Sequence, residues 1–171
     1  MAFAEVSGDK TKIVTADCRP QLFGSTGVLL LSFDDRNFLD WERAMPIFKK
    51  YGAHATFFVS GEFTPDAVRV AKKLMGEGHS IGLHGQHHGD AAAIIATKGW
   101  KTYCEEELDT VKRQADVAYI PVRNFAYPNG RRSEESDKFL LTRFDRIRGP
   151  ITKGIRPYDP KGEKRGKLAP L

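Results

Sequence analysis

Cysteine is scarce in this chain, with only Cys18 and Cys104 among 171 residues. They form no CxxC pair and lie far from every histidine, which excludes a disulfide framework and a zinc–thiolate finger and leaves two ordinary thiols. Long apolar runs are missing too. None approaches the roughly 18 residues that span a bilayer, so no membrane span is expected, and the stretch through Lys12 lacks the apolar core of a signal peptide. A large net charge is absent from the body of the chain. Most of the net charge of +5 resides in residues 151–171, where Lys153, Arg156, Lys161, Lys164, Arg165 and Lys167 are opposed only by Asp159 and Glu163. A nearly neutral body with a basic, Gly- and Pro-bearing tail predicts a folded domain with a loose end and no nucleic-acid partner. Neither an internal repeat nor a low-complexity segment occurs, which excludes a solenoid or a filamentous array.

What remains is enough for one globular domain, since 171 residues with 40% apolar content can bury a core without covalent staples. Short β-rich runs at 28–33, 55–59, 80–83, 124–127 and, more weakly, 146–148 alternate with helical periodicity. That alternation predicts βα units, a parallel sheet and the α/β class. Trp41, Ala44, Phe48 and Tyr51 recur at helical spacing, with Asp40 as the expected N-cap and Gly52 at the C-terminal cap position. Thr64 and Pro65 open a second helix carrying Val68, Ala71, Leu74 and Met75. A long third helix is expected over 98–118 on the stripe Trp100, Cys104, Leu108, Val111 and Ala115, and Ser133 opens a short fourth through Leu141.

Three polar clusters each follow an expected strand: Asp34 and Asp35, His84 to His88, and Tyr127 to Gly130. In parallel α/β sheets the loops beyond the carboxyl ends of strands converge on one site. His84 and His88 have the i, i+4 spacing with which two imidazoles reach one ion from a helical turn or a loop entering one. With one carboxylate they make a three-ligand set that leaves a position open for water or substrate. If Asp35 is that carboxylate, Asp34 is free to act as a base. His87 faces elsewhere and is read as outer shell or solvent, His79 as a structural hydrogen-bonder at a helix-to-strand turn, and His54 as a surface residue.

Four motifs carry a resemblance: Ser32-Phe33-Asp34-Asp35, the run from Ile47 through Gly52 to Val59, Gly78-His79-Ser80-Ile81-Gly82-Leu83-His84, and Phe125-Ala126-Tyr127-Pro128-Asn129-Gly130. In order and spacing they resemble the polysaccharide deacetylases, carbohydrate esterase family 4, also called the NodB or chitooligosaccharide deacetylase homology domain. The resemblance implies an incomplete or distorted (β/α) barrel and a hydrolase that removes acetyl groups from an N-acetylated or O-acetylated glycan. It gives Asp34 the role of catalytic base and makes Asp35, His84 and His88 ligands of a divalent metal, Zn2+ first, with Co2+, Ni2+ or Mn2+ as alternatives. The ion would polarise the acetyl carbonyl and activate the attacking water while Asp34 takes its proton. The backbone N–H of Asn129 aligns with the oxyanion donor, on a turn shaped by Pro128 and by Gly130, which is expected at positive φ.

The chain departs from the family pattern at several positions. Gly85 stands where a Ser or Thr is usual. Ala126 replaces the arginine that holds the catalytic aspartate, so Arg123 or Arg131 is expected to reach in from beside the loop. No histidine follows His88, although the family takes its general acid from a later one; His87, Tyr127 and Tyr158 are the remaining candidates. The expected organisation is an N-terminal extension at 1–26, a partial catalytic domain at 27–150 and the basic tail at 151–171. Five strands leave an open edge near Arg146 to Ile155, to be covered by a complementing segment or a homodimer contact. Weak or no activity by the isolated chain follows from this. Other readings are a catalytically impaired, metal-containing carbohydrate binder and a small-molecule amide or cyclic-ureide hydrolase. The resemblance favours an extracytoplasmic location.

Overall fold

The strongest local signal in the chain is the run Ala55-Thr-Phe-Phe-Val59, apolar on both faces as a central strand of a covered parallel sheet must be. A computed structural model of the chain describes residues 2–7, 10–12 and 29–149, and in it this run is the fourth of seven strands. Those strands are β1 (Ala2–Ser7), β2 (Lys10–Lys12), β3 (Leu31–Asp35), β4 (Ala55–Val59), β5 (Ser80–Leu83), β6 (Asn124–Ala126) and β7 (Arg146–Gly149). The sheet order is β2-β1-β7-β6-β5-β4-β3. From β3 to β7 every pairing is parallel and follows chain order, as the βα pattern predicts, and the five strands form a curled half-barrel of the kind the family resemblance implies. β1 and β2, from the stretch read as an N-terminal extension, add an antiparallel pair beside β7. The expected basic tail at 151–171 and Tyr158 lie outside the described residues.

Helices α1 (Phe38–Tyr51), α2 (Pro65–Gly76), α3 (Ala91–Tyr103), α4 (Asp109–Val117) and α5 (Glu134–Leu140) connect the parallel strands. Two expected boundaries hold: Thr64 caps α2 by accepting the Ala67 N–H, and Ser133 caps α5 by accepting the Ser136 N–H. Asp40 does not cap α1. Asn37 occupies that position, and Asp40 lies inside the first turn, where its charge favours the helix N-terminus and pairs with Arg43. The single helix expected at 98–118 is also corrected. Helical structure begins at Ala91, breaks at Gly99, where φ is 80° and ψ 170°, and passes through a π-helical turn at Cys104–Leu108 before α4.

Phe57 on β4 anchors one half of the core. It is fully buried and touches Phe33, Trp41 and Phe48 at centroid distances of 5.3, 5.0 and 5.9 Å. Burial of one phenylalanine stabilises a fold by about 1.5–3 kcal/mol, and this cluster ties α1 to the sheet directly beneath the two aspartates. A second cluster, Phe125 with Tyr127 and Phe144, supports the far side.

Candidate metal centre

β3 ends two residues later than the sequence pattern suggested, because Asp34 and Asp35 pair with Phe58 and Val59 of β4. The aspartates are therefore the last residues of a strand rather than part of the loop behind it. At Asp35 the backbone turns to a φ of 80°, and its carbonyl accepts the Ser60 N–H at 2.9 Å. One strand further along, His84 leaves β5 with its N–H bonded to the Val59 carbonyl at 2.7 Å. The loop to His88 is not helical: it doubles back through positive φ at Gly85 (80°) and His88 (60°).

This geometry brings Asp35, His84 and His88 together. One donor atom from each lies within 4.8 Å of the others, and no second group of three such donors converges among the described residues. His88 Nε2 is 3.5 Å and His84 Nε2 3.9 Å from Asp35 Oδ1. His84 is buried, 2% exposed, and its Nδ1 lies 2.8 Å from the carbonyl oxygen of Ala126. That carbonyl can only accept, so Nδ1 carries the proton and Nε2 presents its lone pair to the cluster. Burial lowers the His84 pKa, outweighing the opposing pull of the Ala126 hydrogen bond and of Asp34. A neutral imidazole with a fixed tautomer, a second imidazole and one carboxylate suit a divalent ion of the zinc type.

Asp34 lies beside this set. Its Oδ2 is also 3.9 Å from His84 Nε2, and its Oδ1 is buried without a hydrogen-bond partner among the described residues. The arginine that reaches it is neither Arg123, which pairs with Asp145 at 3.5 Å, nor Arg131, which pairs with Asp90 at 2.9 Å. It is Arg148 of β7, donating from Nη2 to Asp34 Oδ2 and from Nη1 to Ser32 Oγ at 3.3 Å. Sequence reasoning missed Arg148 because its partner is 114 positions away and a single arginine in a short strand carries no signal.

Glu107 was missed as well. It projects from the π-helical turn, is 3% exposed, and accepts the His87 N–H at 3.0 Å, while its backbone carbonyl accepts the Gln86 N–H at 3.0 Å. A Cβ on Gly85 would come within 2.6 Å of its carboxylate. That contact, added to the positive φ, explains glycine at this position.

The turn Tyr127 to Gly130 packs against the same loop, with Pro128 Cγ 3.6 Å from where a Gly85 Cβ would sit. Gly130 has the expected positive φ, 63°, and Asn129 a φ of 54°, which asparagine tolerates better than most residues. Tyr127 is unsuited to acid catalysis: it is buried, its hydroxyl is held by Asp137 at 2.9 Å and Ser136 at 3.0 Å, and burial pushes its pKa up. His87 is exposed, and His54 is exposed against His79. His79 has its expected structural role, accepting the Ala55 N–H at Nδ1 (3.1 Å).

The family model described as polysaccharide deacetylase matches residues 24–141. The peptidoglycan-N-acetylmuramic acid deacetylase PdaA of Bacillus subtilis is 33% identical over 72 residues, 42% of this chain and 26% of that protein. The chain therefore spans well under two thirds of this relative. The peptidoglycan deacetylase PdaC of Bacillus subtilis superposes with a TM-score of 0.58 at 23% identity, covering 71% of this chain and 57% of PdaC. A carbohydrate esterase family 4 pseudoenzyme of Bacillus anthracis superposes at 0.55 and 23%, covering 66% of this chain and 39% of its own.

Proposed function

The chain belongs to the polysaccharide deacetylase family, and from that premise we propose that it removes acetyl groups from an N-acetylated or O-acetylated glycan. Asp35, His84 and His88 would hold a divalent ion, and Asp34 would act as base. The observation that carries this reading is the convergence of three mixed oxygen and nitrogen donors within 4.8 Å, beside a carboxylate that belongs to none of the three. A bound ion supplies Lewis acidity toward an acetyl carbonyl and toward water.

The chain's own residues divide the remaining work. Ala126 fixes the His84 ring through Nδ1, so the buried imidazole turns Nε2 toward the cluster. Asp34 stands alongside to take a proton from the attacking water, a role typically worth about 10²–10⁴ in rate. The backbone N–H of Asn129, on the turn packed against the histidine loop, is assigned to the developing oxyanion. All of these residues fall within 27–150, the proposed catalytic unit.

The relatives named as peptidoglycan deacetylases support a cell-wall glycan as substrate class and an extracytoplasmic site of action. Among the described residues no helix is long and apolar enough to cross a membrane. A second reading is a catalytically impaired relative that holds a sugar at the ion; a carbohydrate esterase family 4 pseudoenzyme is among the proteins of similar fold.

Elemental analysis and acetate release from N-acetylglucosamine oligomers test the proposal together. One zinc per chain in the wild type, none in His84→Ala, and metal without activity in Asp34→Asn are expected. Equal zinc in wild type and His84→Ala would remove the site assignment. Stoichiometric zinc with no acetate released from any acetylated glycan would favour the second reading.

A further inference from the structure

Among the described residues, one backbone N–H of the turn that leaves β6 has no acceptor. Tyr127 N–H donates to the Arg148 carbonyl at 2.9 Å, Gly130 N–H to the Tyr127 carbonyl at 3.0 Å and Arg131 N–H to the Pro128 carbonyl at 3.2 Å, while proline has no N–H to give. Only Asn129 keeps its donor unused. The residue is exposed, and Pro128 seats its turn against the histidine loop beside Gly85. Such a donor helps a reaction only when its direction is fixed beforehand, because reorientation at the moment of reaction costs what the hydrogen bond would supply.

A buried carboxylate grips this turn on both flanks. Asp137 of α5 is 1% exposed. Its Oδ1 accepts the Tyr127 hydroxyl at 2.9 Å, before the free N–H in the chain. After it, Arg132 donates from Nε to Oδ1 and Oδ2 at 3.1 and 3.0 Å and from Nη2 to Oδ2. Ser136 Oγ also lies 3.0 Å from the tyrosine hydroxyl, but it donates its own proton to the Ser133 carbonyl at 2.9 Å, so the phenolic proton goes to Asp137. The stem of Arg132 packs on the end of β7, where a Cβ on Gly149 would come within 2.7 Å of Cδ. A buried polar cluster with its partners in place is rigid, and one broken link leaves a costly orphan.

We propose that Asp137 is a positioning residue of the reaction: through Tyr127 and Arg132 it holds the turn so that the Asn129 N–H stays aimed at the oxygen on which charge develops. This role rests on the reading of that N–H as the oxyanion donor, and extends it by naming what fixes its direction. Asp137 itself touches no substrate. It accounts for a buried carboxylate and arginine that neither the donor cluster nor the base employs.

The experiment uses the zinc-loaded full chain and reads acetate release from N-acetylglucosamine oligomers together with the Asn129 amide resonance in a 1H–15N spectrum. Tyr127→Phe keeps the ring in its place and deletes one hydroxyl. Its kcat and kcat/KM should fall together by about 10-fold with KM unchanged, the pattern of an interaction made only in the transition state. That is less than the roughly 10²–10³ lost with an oxyanion donor, because the N–H is displaced rather than removed. The Asn129 resonance should move. Asp137→Asn, which turns an amide toward Arg132, should shift both readouts in the same direction. Val70→Ala, at a fully buried core position on α2, controls for lost stability and should leave kcat and the resonance as in wild type.

Wild-type kcat and an unmoved Asn129 resonance in a folded Tyr127→Phe overturn the inference. So does a fall in kcat that Val70→Ala reproduces at the same melting temperature. The wild type separates this failure from failure of the parent reading. If it releases no acetate from any acetylated glycan, the deacetylase reading fails and takes the inference with it; if it is active and Tyr127→Phe matches it, only the role of Asp137 falls.

Discussion

At the residue scale, histidine chemistry divides by what each ring faces. His84 and His88 meet a carboxylate, whereas His79 is packed against Phe48 and Phe57 with Nδ1 accepting the Ala55 N–H. Burial lowers the His79 pKa, the neighbouring His54 adds to the shift, and Glu77 opposes it. The sign of the linkage follows. Above the ordinary value of 6.5 both folded and unfolded chains hold this ring neutral, and its stabilising contribution is complete. As pH falls, the unfolded chain binds a proton that the folded one resists, so stability is lost as pH falls through the folded pKa. Urea midpoints of the metal-free protein should therefore drop between about pH 7.5 and 5.5, and His79→Gln should flatten that slope. An unchanged slope in the variant would show that the ring does not titrate differently on folding. Asp34, Asp35 and His84 could be singled out in the sequence because they stand at or just past the end of a recognisable strand, and His88 by its spacing of four from His84. Arg148 was not, since only the curl of the sheet reveals what a lone arginine will meet.

At the scale of elements, the five parallel strands and the caps at Thr64 and Ser133 could be read from apolar pattern and cap chemistry. The segment from Ala91 to Val117 could not. Cys104, Leu108, Val111 and Ala115 are all buried as their spacing implies, yet the Asp109 N–H bonds to the Cys104 carbonyl, five residues back. A π turn inserts one residue into the helical repeat and is frequent at functional sites. Glu107 lies in this turn, three residues from Cys104 and four from Val111 on the apolar face, and is buried beneath the histidine loop; its charge, not its spacing, hid it among the apolar stripe. Glu107→Ala should leave the His87 N–H without its acceptor, at a cost of about 1–3 kcal/mol in stability, and should weaken zinc binding by freeing the loop that carries His88. Glu107→Gln, which keeps an acceptor oxygen, should be milder on both counts. Competition with a chromophoric chelator, alongside thermal melts, measures the pair. Zinc affinity unchanged in Glu107→Ala would mean that the positive-φ turns at Gly85 and His88 hold the loop unaided.

At the scale of the whole molecule, the open sheet edge expected near Arg146 to Ile155 is not open at β7. β1 lies antiparallel against it, pairing Ala2 with Gly149, Phe3 with Arg148, Ala4 with Ile147 and Glu5 with Arg146. Nothing in the residue pattern announces this partnership. A six-residue strand paired with a partner more than 130 positions away has no connecting element to announce it, whereas the parallel strands are announced by the helices between them. The consequence reaches the site, because β7 is the strand that carries Arg148. An unpaired edge beside it would invite other chains and loosen the strand from which Asp34 is held. Removing residues 1–12 should therefore lower the melting temperature and promote self-association, seen as concentration-dependent mass by light scattering. A truncated chain that stays monomeric and melts as the full chain does would show that β7 needs no cover, and that the parallel sheet alone holds the strand whose Arg148 reaches Asp34.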